Sequence, residues 1–184
     1  MPAKKKPQKD IFHHFLSNKT IQCFASQDVC AMMPRFLKPI ADLLRQEHYK
    51  RKFMPFTTEL GLYLDGVEIE LAKRNKVNRK RTIDFLIGTD KDWILLTEAK
   101  FEVNNPREMD VSELKEKITH SKELVSNSKM LVHIEPNIIV LLKDDNFEQL
   151  KRELKNKVSN SLKVVPMNVG QFYQSVFEKV QTNK

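Results

Sequence analysis

Cysteine, glycine and long apolar runs are all scarce in this sequence of 184 residues. The two cysteines, Cys23 and Cys30, form no Cys-x-x-Cys pair, which argues against a zinc site and a disulfide framework and predicts free thiols in the cytoplasm. With only 4 glycines, the chain has no glycine-rich phosphate loop, so nothing in the sequence supports an NTPase. No run approaches the roughly 18 apolar residues that span a bilayer, so no membrane partner is expected.

Acidic residues are also outnumbered, since 32 Lys and Arg face 24 Asp and Glu and the net charge is +8. This excess favours a polyanionic partner, for which nucleic acid is the first choice. A hydrophobic content of 40% and a charged content of 30% are ordinary for a globular chain. The length is that of one domain with a substantial core.

Residues 81–88 and 93–101 form two short apolar segments separated by Thr-Asp-Lys-Asp, and this pattern predicts a β-hairpin. Side chains alternate between the faces of a strand, so Asp84 is expected on one face and Ile83 on the other. Glu98 and Lys100 share a face on the second strand. If the loop is residues 90–92, position 84 lies opposite position 98, with Cβ atoms about 4.5–5.5 Å apart.

Ile83-Asp84 and Glu98-Ala99-Lys100 on adjacent strands resemble the motifs of the PD-(D/E)xK nuclease superfamily, which has the restriction-endonuclease-like fold. Ile83 stands where the motif name has proline. The helix, strand, helix, strand and helix expected after the hairpin extend the resemblance over about residues 40–181. The resemblance implies an α/β fold in which a mixed β-sheet is flanked by helices, with a helical N-terminal extension.

Asp84 and Glu98 offer hard oxygen ligands of the kind that Mg²⁺ or Mn²⁺ prefers. Lys100 would orient the attacking water and neutralise charge that develops on phosphorus. The resemblance adds the backbone carbonyl of Ala99 as a metal ligand. It implies a Mg²⁺-dependent endonuclease that hydrolyses phosphodiester bonds of nucleic acid, with DNA preferred, in restriction, repair, recombination or defence. The alternative is a catalytically inactive subunit of the same fold that binds nucleic acid or serves assembly.

One catalytic centre cuts one strand, so double-strand cleavage would require a homodimer or a larger nuclease complex. The family also often takes one more acidic residue from a helix before the sheet. Glu47 fits this position, because it falls on the apolar stripe of Leu43 and Leu44 in a helix expected from Pro39 to about Lys52. A solvent-facing Glu47 at the edge of the stripe is the second interpretation.

Glu59 is the alternative upstream acid if a short helix spans residues 56–64. The Asp65-Gly66 pair between alternating apolar residues instead favours a hairpin over residues 60–71, although a helical stripe also fits. Gly61 and Gly66 would both weaken a helix, so the hairpin is preferred.

A cationic segment, residues 73–81, contains six positive charges and no acidic residue. Its position before the Asp84 strand makes it a candidate phosphate-binding loop, with a solvated loop as the alternative. The six candidate nucleic-acid contacts are Lys73, Arg74, Lys76, Arg79, Lys80 and Arg81.

The rest of the chain indicates a basic disordered tail over residues 1–9 and a single domain over 10–184. Its residues 10–38 form a helical extension, with Asp10 and Asp28 as possible N-caps, and 39–184 form the core. A helix is expected from Met109 to about Asn127, with one face formed by Leu114, Ile118, Ser121 and Val125 and with Lys117 elsewhere. Further elements are expected within 134–142 (strand), 144–159 (helix), 162–166 (strand) and 169–180 (helix).

Overall fold

The structure is a computed structural model that describes residues 16–26, 33–128, 132–158 and 162–177. The basic tail and the expected caps at Asp10 and Asp28 lie outside these residues. The helices are α1 (Asn18–Ala25), α2 (Ile40–Gln46), α3 (Leu64–Asn75), α4 (Val111–Ser126), α5 (Phe147–Lys157) and α6 (Val169–Phe177). The strands are β1 (Leu37–Pro39), β2 (Leu60–Tyr63), β3 (Phe85–Gly88), β4 (Trp93–Lys100), β5 (His133–Ile134), β6 (Ile138–Leu142) and β7 (Val164–Met167).

These seven strands form one mixed sheet in the order β1-β2-β3-β4-β6-β7, and β5 also pairs with β4. Strands β1 to β4 are antiparallel neighbours, whereas β4, β5, β6 and β7 pair in parallel. Apolar residues of α1, α3, α4 and α5 pack on one face, and those of α2 and α6 pack on the other. The predicted α/β class, with a mixed sheet flanked by helices, is confirmed.

The predicted hairpin register is also confirmed. Phe85 pairs with Thr97, and the N–H of Thr89 donates to the carbonyl of Trp93 at 2.8 Å, which leaves residues 90–92 as the loop. Ile83 differs from its predicted face, because it packs in the same core cluster as Leu86. The reason is that β3 begins only at Phe85, so strand alternation does not extend to Ile83.

The hairpin expected over residues 60–71 is wrong, since β2 is followed directly by α3. Gly66 lies in the first turn of α3, where an added Cβ would approach the rings of Tyr63 and Phe36 to 2.5 and 2.7 Å. The glycine therefore serves close packing and not a turn. Leu64 and Val67 of the alternative helical stripe are buried.

Helix α2 begins after Pro39 as expected but ends at Gln46, well before Lys52. His48 has a left-handed φ of 68°, and the N–H of Tyr49 donates to the carbonyl of Leu44 at 2.9 Å. This geometry closes the helix in the manner of a left-handed C-terminal cap. Glu47 consequently occupies the C-cap position, not a place on the helical stripe.

Helix α4 agrees closely with the expectation. Asp110 is its N-cap, and its carboxylate accepts the N–H of Glu113 at 2.9 Å. The predicted buried face is present, with Leu114, Ile118, Ser121 and Val125 all buried. This face holds α4 against the sheet beside the β3–β4 hairpin.

Candidate active site

The hairpin brings Asp84 and Glu98 together inside the protein. Asp84 is 7% exposed and Glu98 is 0% exposed. The β3–β4 register places them opposite each other, one position beyond the Phe85–Thr97 pair. Asp84 Oδ2 accepts the backbone N–H of Ala99 at 2.6 Å, which fixes the carboxylate against β4. Ala99 therefore contacts the site through its backbone N–H. That its carbonyl binds a metal ion stays a prediction.

Two lysines contact the buried Glu98. Its Oε1 lies 2.9 Å from Lys100 Nζ and 2.7 Å from Lys117 Nζ. The other carboxylate oxygen, Oε2, is buried and has no hydrogen-bond partner in the described part of the chain. A buried charged oxygen without a donor is energetically costly. The burial of Glu98 Oε2 is therefore unfavourable among the described contacts.

Lys117 is a site residue that the sequence prediction missed. It extends from α4, and its Nζ also lies 3.7 Å from Asp84 Oδ1. The spacing contained a signal, because Lys117 is three residues after Leu114 and four before Ser121, both of which are buried. Ser121 Oγ accepts the N–H of Ile83 at 2.9 Å, which ties α4 to the segment that carries Asp84.

Burial and neighbouring charges both act on the ionisation of Asp84. Burial raises the pKa of Asp84 well above its ordinary value; Glu98 and Glu47 raise it further, while Lys117 and the N–H of Ala99 oppose the shift. Burial opposes the charge on Lys117, but Glu98 and Asp84 outweigh it and raise the lysine pKa overall. Lys117 is therefore held as an ammonium beside the pair.

The structure distinguishes between Glu47 and Glu59, the two candidates for the upstream acid. The pKa of Glu47 is raised by burial and then by the charge of Glu98, so Glu47 lies within electrostatic reach of the centre. Residues 56–64 do not form a helix, and Glu59 accepts the N–H groups of Thr57 and Thr58 at 2.6 and 3.0 Å. Glu47 is thus placed near the carboxylate pair, and Glu59 has a local role.

Asp65 is a further acid near the centre, and it was overlooked because its segment was assigned to a turn. It lies in the first turn of α3, and its charge contributes to the raised pKa of Glu47. Its Oδ1 accepts the hydroxyl of Thr82 at 2.8 Å, and its Oδ2 pairs with Arg79. Asp65 thereby anchors the cationic segment beside the site.

The cationic segment begins in the last turn of α3 and continues as a loop after Lys76. Three of its cations pair with acids: Arg79 with Asp65, Lys80 with Glu123 at 4.0 Å, and Arg81 with Glu113 at 2.8 Å. A groove of about 480 Å³ connects this loop to the candidate site. Its walls are formed by Asp65, Arg79, Lys80, Arg81, Glu113 and Lys117.

Within the ranges described above, no group of three or more His, Cys, Asp or Glu side chains is arranged to hold a metal ion. None of the helices described in the structure is both long enough and apolar enough to cross a membrane.

Comparisons with protein-family models, curated proteins and solved structures found no match.

Proposed function

We propose that the protein is a metal-dependent nuclease of the PD-(D/E)xK type that hydrolyses phosphodiester bonds in nucleic acid, with DNA as the first substrate to test. The observation that carries the proposal is the buried pair of Asp84 and Glu98, opposite each other on adjacent strands, with Lys100 on Glu98. The mixed sheet between two layers of helices is compatible with a restriction-endonuclease-like fold, which belongs to the same proposal.

The residues fit a divalent cation. Glu98 Oε2 is a buried carboxylate oxygen without a donor among the described residues, and the pKa of Asp84 is raised by burial and then by the charge of Glu98. Mg²⁺ and Mn²⁺ favour such hard oxygen ligands. Asp84 and Glu98 would hold the ion, with the carbonyl of Ala99 as the proposed third ligand. A bound ion would supply Lewis-acid stabilisation and a lowered pKa for water.

The side chains of this protein provide the remaining chemistry. Lys100 Nζ, 2.9 Å from Glu98 Oε1 and only partly exposed, would orient the attacking water and donate to a phosphate oxygen as negative charge develops. Burial of Asp84 and Glu98 lowers the local dielectric and strengthens each of these interactions. Glu47 adds a third carboxylate to the field of the centre.

The groove beside the site offers a path for the nucleic-acid backbone. Arg79 and Arg81 line it, and each is held by a carboxylate, Asp65 or Glu113. A phosphate can replace a carboxylate as the partner of an arginine, since both offer oxygens for bidentate hydrogen bonds. The net charge of +8 supports association with a polyanion.

A second candidate function has an observation of its own. The ammonium of Lys117 contacts Glu98 and lies near Asp84, so the two carboxylates have a cationic partner supplied by the chain. This arrangement favours an inactive nucleic-acid-binding or assembly subunit in which the lysine replaces the metal. A homodimer or a larger nuclease complex would be the setting for either function.

The test is cleavage of plasmid DNA, single-stranded DNA and RNA in Mg²⁺, Mn²⁺ or EDTA. Wild type should cut at least one substrate with either metal and none in EDTA. Asp84→Ala and Lys100→Ala should each lose at least about a hundredfold in rate, the scale expected for one preorganised electrostatic group. Absence of cutting by wild type, or full activity of folded Asp84→Ala, would contradict the proposal. Binding without cutting would favour the second candidate.

A further inference from the structure

Lys117 has more carboxylate neighbours than Lys100, the other lysine of the candidate site. Its Nζ lies 2.7 Å from Glu98 Oε1, 3.7 Å from Asp84 Oδ1 and 3.9 Å from Glu113 Oε1. The side chain is 15% exposed, so these interactions are only weakly screened by water. By comparison, Lys100 Nζ pairs with Glu98 Oε1 at 2.9 Å, on the same oxygen.

Two cations lie beside the two buried carboxylates in the described part of the structure. Two ammonium groups, those of Lys100 and Lys117, face the two buried carboxylates of Asp84 and Glu98. A divalent cation held by the same carboxylates would lie close to both ammonium groups. Like charges in a poorly solvated site repel strongly. Release of one lysine from the carboxylates lowers this repulsion.

Lys117 is the lysine whose position favours release. It interacts with both carboxylates of the pair, at Glu98 Oε1 and Asp84 Oδ1, so its ammonium competes with a cation for these carboxylates. It also has an alternative partner, because Glu113 is one helical turn earlier on α4 and lines the groove with Lys117. An ammonium that leaves Glu98 can therefore remain paired at the edge of the groove.

We infer that Lys117 is a built-in counter-ion that competes with the divalent cation for Asp84 and Glu98. The inference rests on the proposed function, since it concerns the same metal centre. Lys117 stabilises the metal-free protein by compensating two buried carboxylates, and it weakens metal binding by the same interaction. Removal of its charge should therefore lower metal-free stability and tighten the binding of the cation.

The test is Mn²⁺ titration followed by electron paramagnetic resonance, with wild type, Lys117→Met and the control Lys115→Met. Lys115 is exposed on the same helix and supplies an equal loss of charge away from the carboxylates. Lys117→Met should bind Mn²⁺ at least about tenfold more tightly than wild type, and Lys115→Met should match wild type. Saturating Mn²⁺ should also raise the melting temperature of Lys117→Met more than that of wild type.

Structural damage would weaken metal binding, so the expected tightening separates a counter-ion from a merely structural lysine. If Lys117→Met does not fold, Lys117→Gln keeps a hydrogen-bond donor for Glu98 without the charge and should shift the affinity in the same direction. Equal or weaker binding by a folded variant, with wild-type binding intact, would overturn this inference alone. Failure of every protein to bind Mn²⁺ would overturn the proposed metal centre and this inference with it.

Discussion

Replacement of Glu98 by glutamine should reduce metal-dependent cleavage by about a hundred- to a thousandfold, the loss typical of one preorganised electrostatic group. The substitution is nearly isosteric and retains one oxygen that can accept from Lys100 and Lys117. It removes the negative charge of a side chain that is 0% exposed and whose Oε2 has no donor in the described ranges. The fold should persist while the affinity for the metal is lost.

The matched control is Glu102→Gln, which makes the same chemical change just after the end of β4. Glu102 is 72% exposed and pairs with His48 on the surface, so its loss should leave cleavage unchanged. Cleavage rates with saturating Mg²⁺ and circular dichroism of each protein provide the comparison. A folded Glu98→Gln with activity within a few-fold of wild type would show that this carboxylate is not part of a catalytic centre.

The second large effect concerns stability. Gly88→Ala should cost about 3 kcal/mol, the upper part of the range for overpacking a core. An added Cβ would lie 2.5 Å from the backbone N of Ile21 and 2.9 Å from the carbonyl oxygen of Ser17. These are backbone atoms that cannot rotate away. The N–H of Ser17 also donates to the carbonyl of Gly88 at 2.8 Å, so the start of α1 is fixed directly on the end of β3.

Gly170→Ala is the matched control, because Gly170 lies in α6 and, among the described residues, an added Cβ would meet Asn168 Oδ1 at an ordinary contact distance of 3.6 Å. Alanine in a helix is favoured over glycine by about 0.5–1 kcal/mol, so this variant should be equally or more stable. Urea unfolding of wild type and both variants measures the difference. Unchanged stability of Gly88→Ala would contradict the close contact between α1 and β3.

Local patterns were sufficient to predict the central hairpin and α4. Alternation and the length of the turn placed residue 84 opposite residue 98, and these depend only on neighbours in the chain. The helical period of α4 predicted its buried face. Glu47 and Glu59 remained alternatives at that stage, because the position of an upstream acid depends on where α2 ends. That end is set by the left-handed conformation of His48.

The errors arose where distant contacts decide the conformation. The Asp65-Gly66 pair resembled a turn, yet Gly66 lies in α3. There Phe36, thirty positions earlier in the chain, packs against it. Because the segment was assigned to a hairpin turn, Asp65 was not predicted as an acid near the site. Lys117 was assigned away from the buried face, because the contact of its long side chain with Glu98 depends on how α4 docks on the sheet. The spacing of Lys117 from Leu114 and Ser121 placed it beside the buried face, but periodicity within one helix does not predict the contact with Glu98.

The most direct test of the metal centre is calorimetric titration of metal-free protein with Mn²⁺, for wild type and Asp84→Asn. Asparagine retains the shape of Asp84 and removes one of the two charges that would hold the ion. Wild type should bind Mn²⁺, and Asp84→Asn should bind at least about tenfold more weakly, because hard cations favour charged carboxylate ligands. No binding by wild type, or equal binding by the folded variant, would contradict a divalent-cation site shared by Asp84 and Glu98.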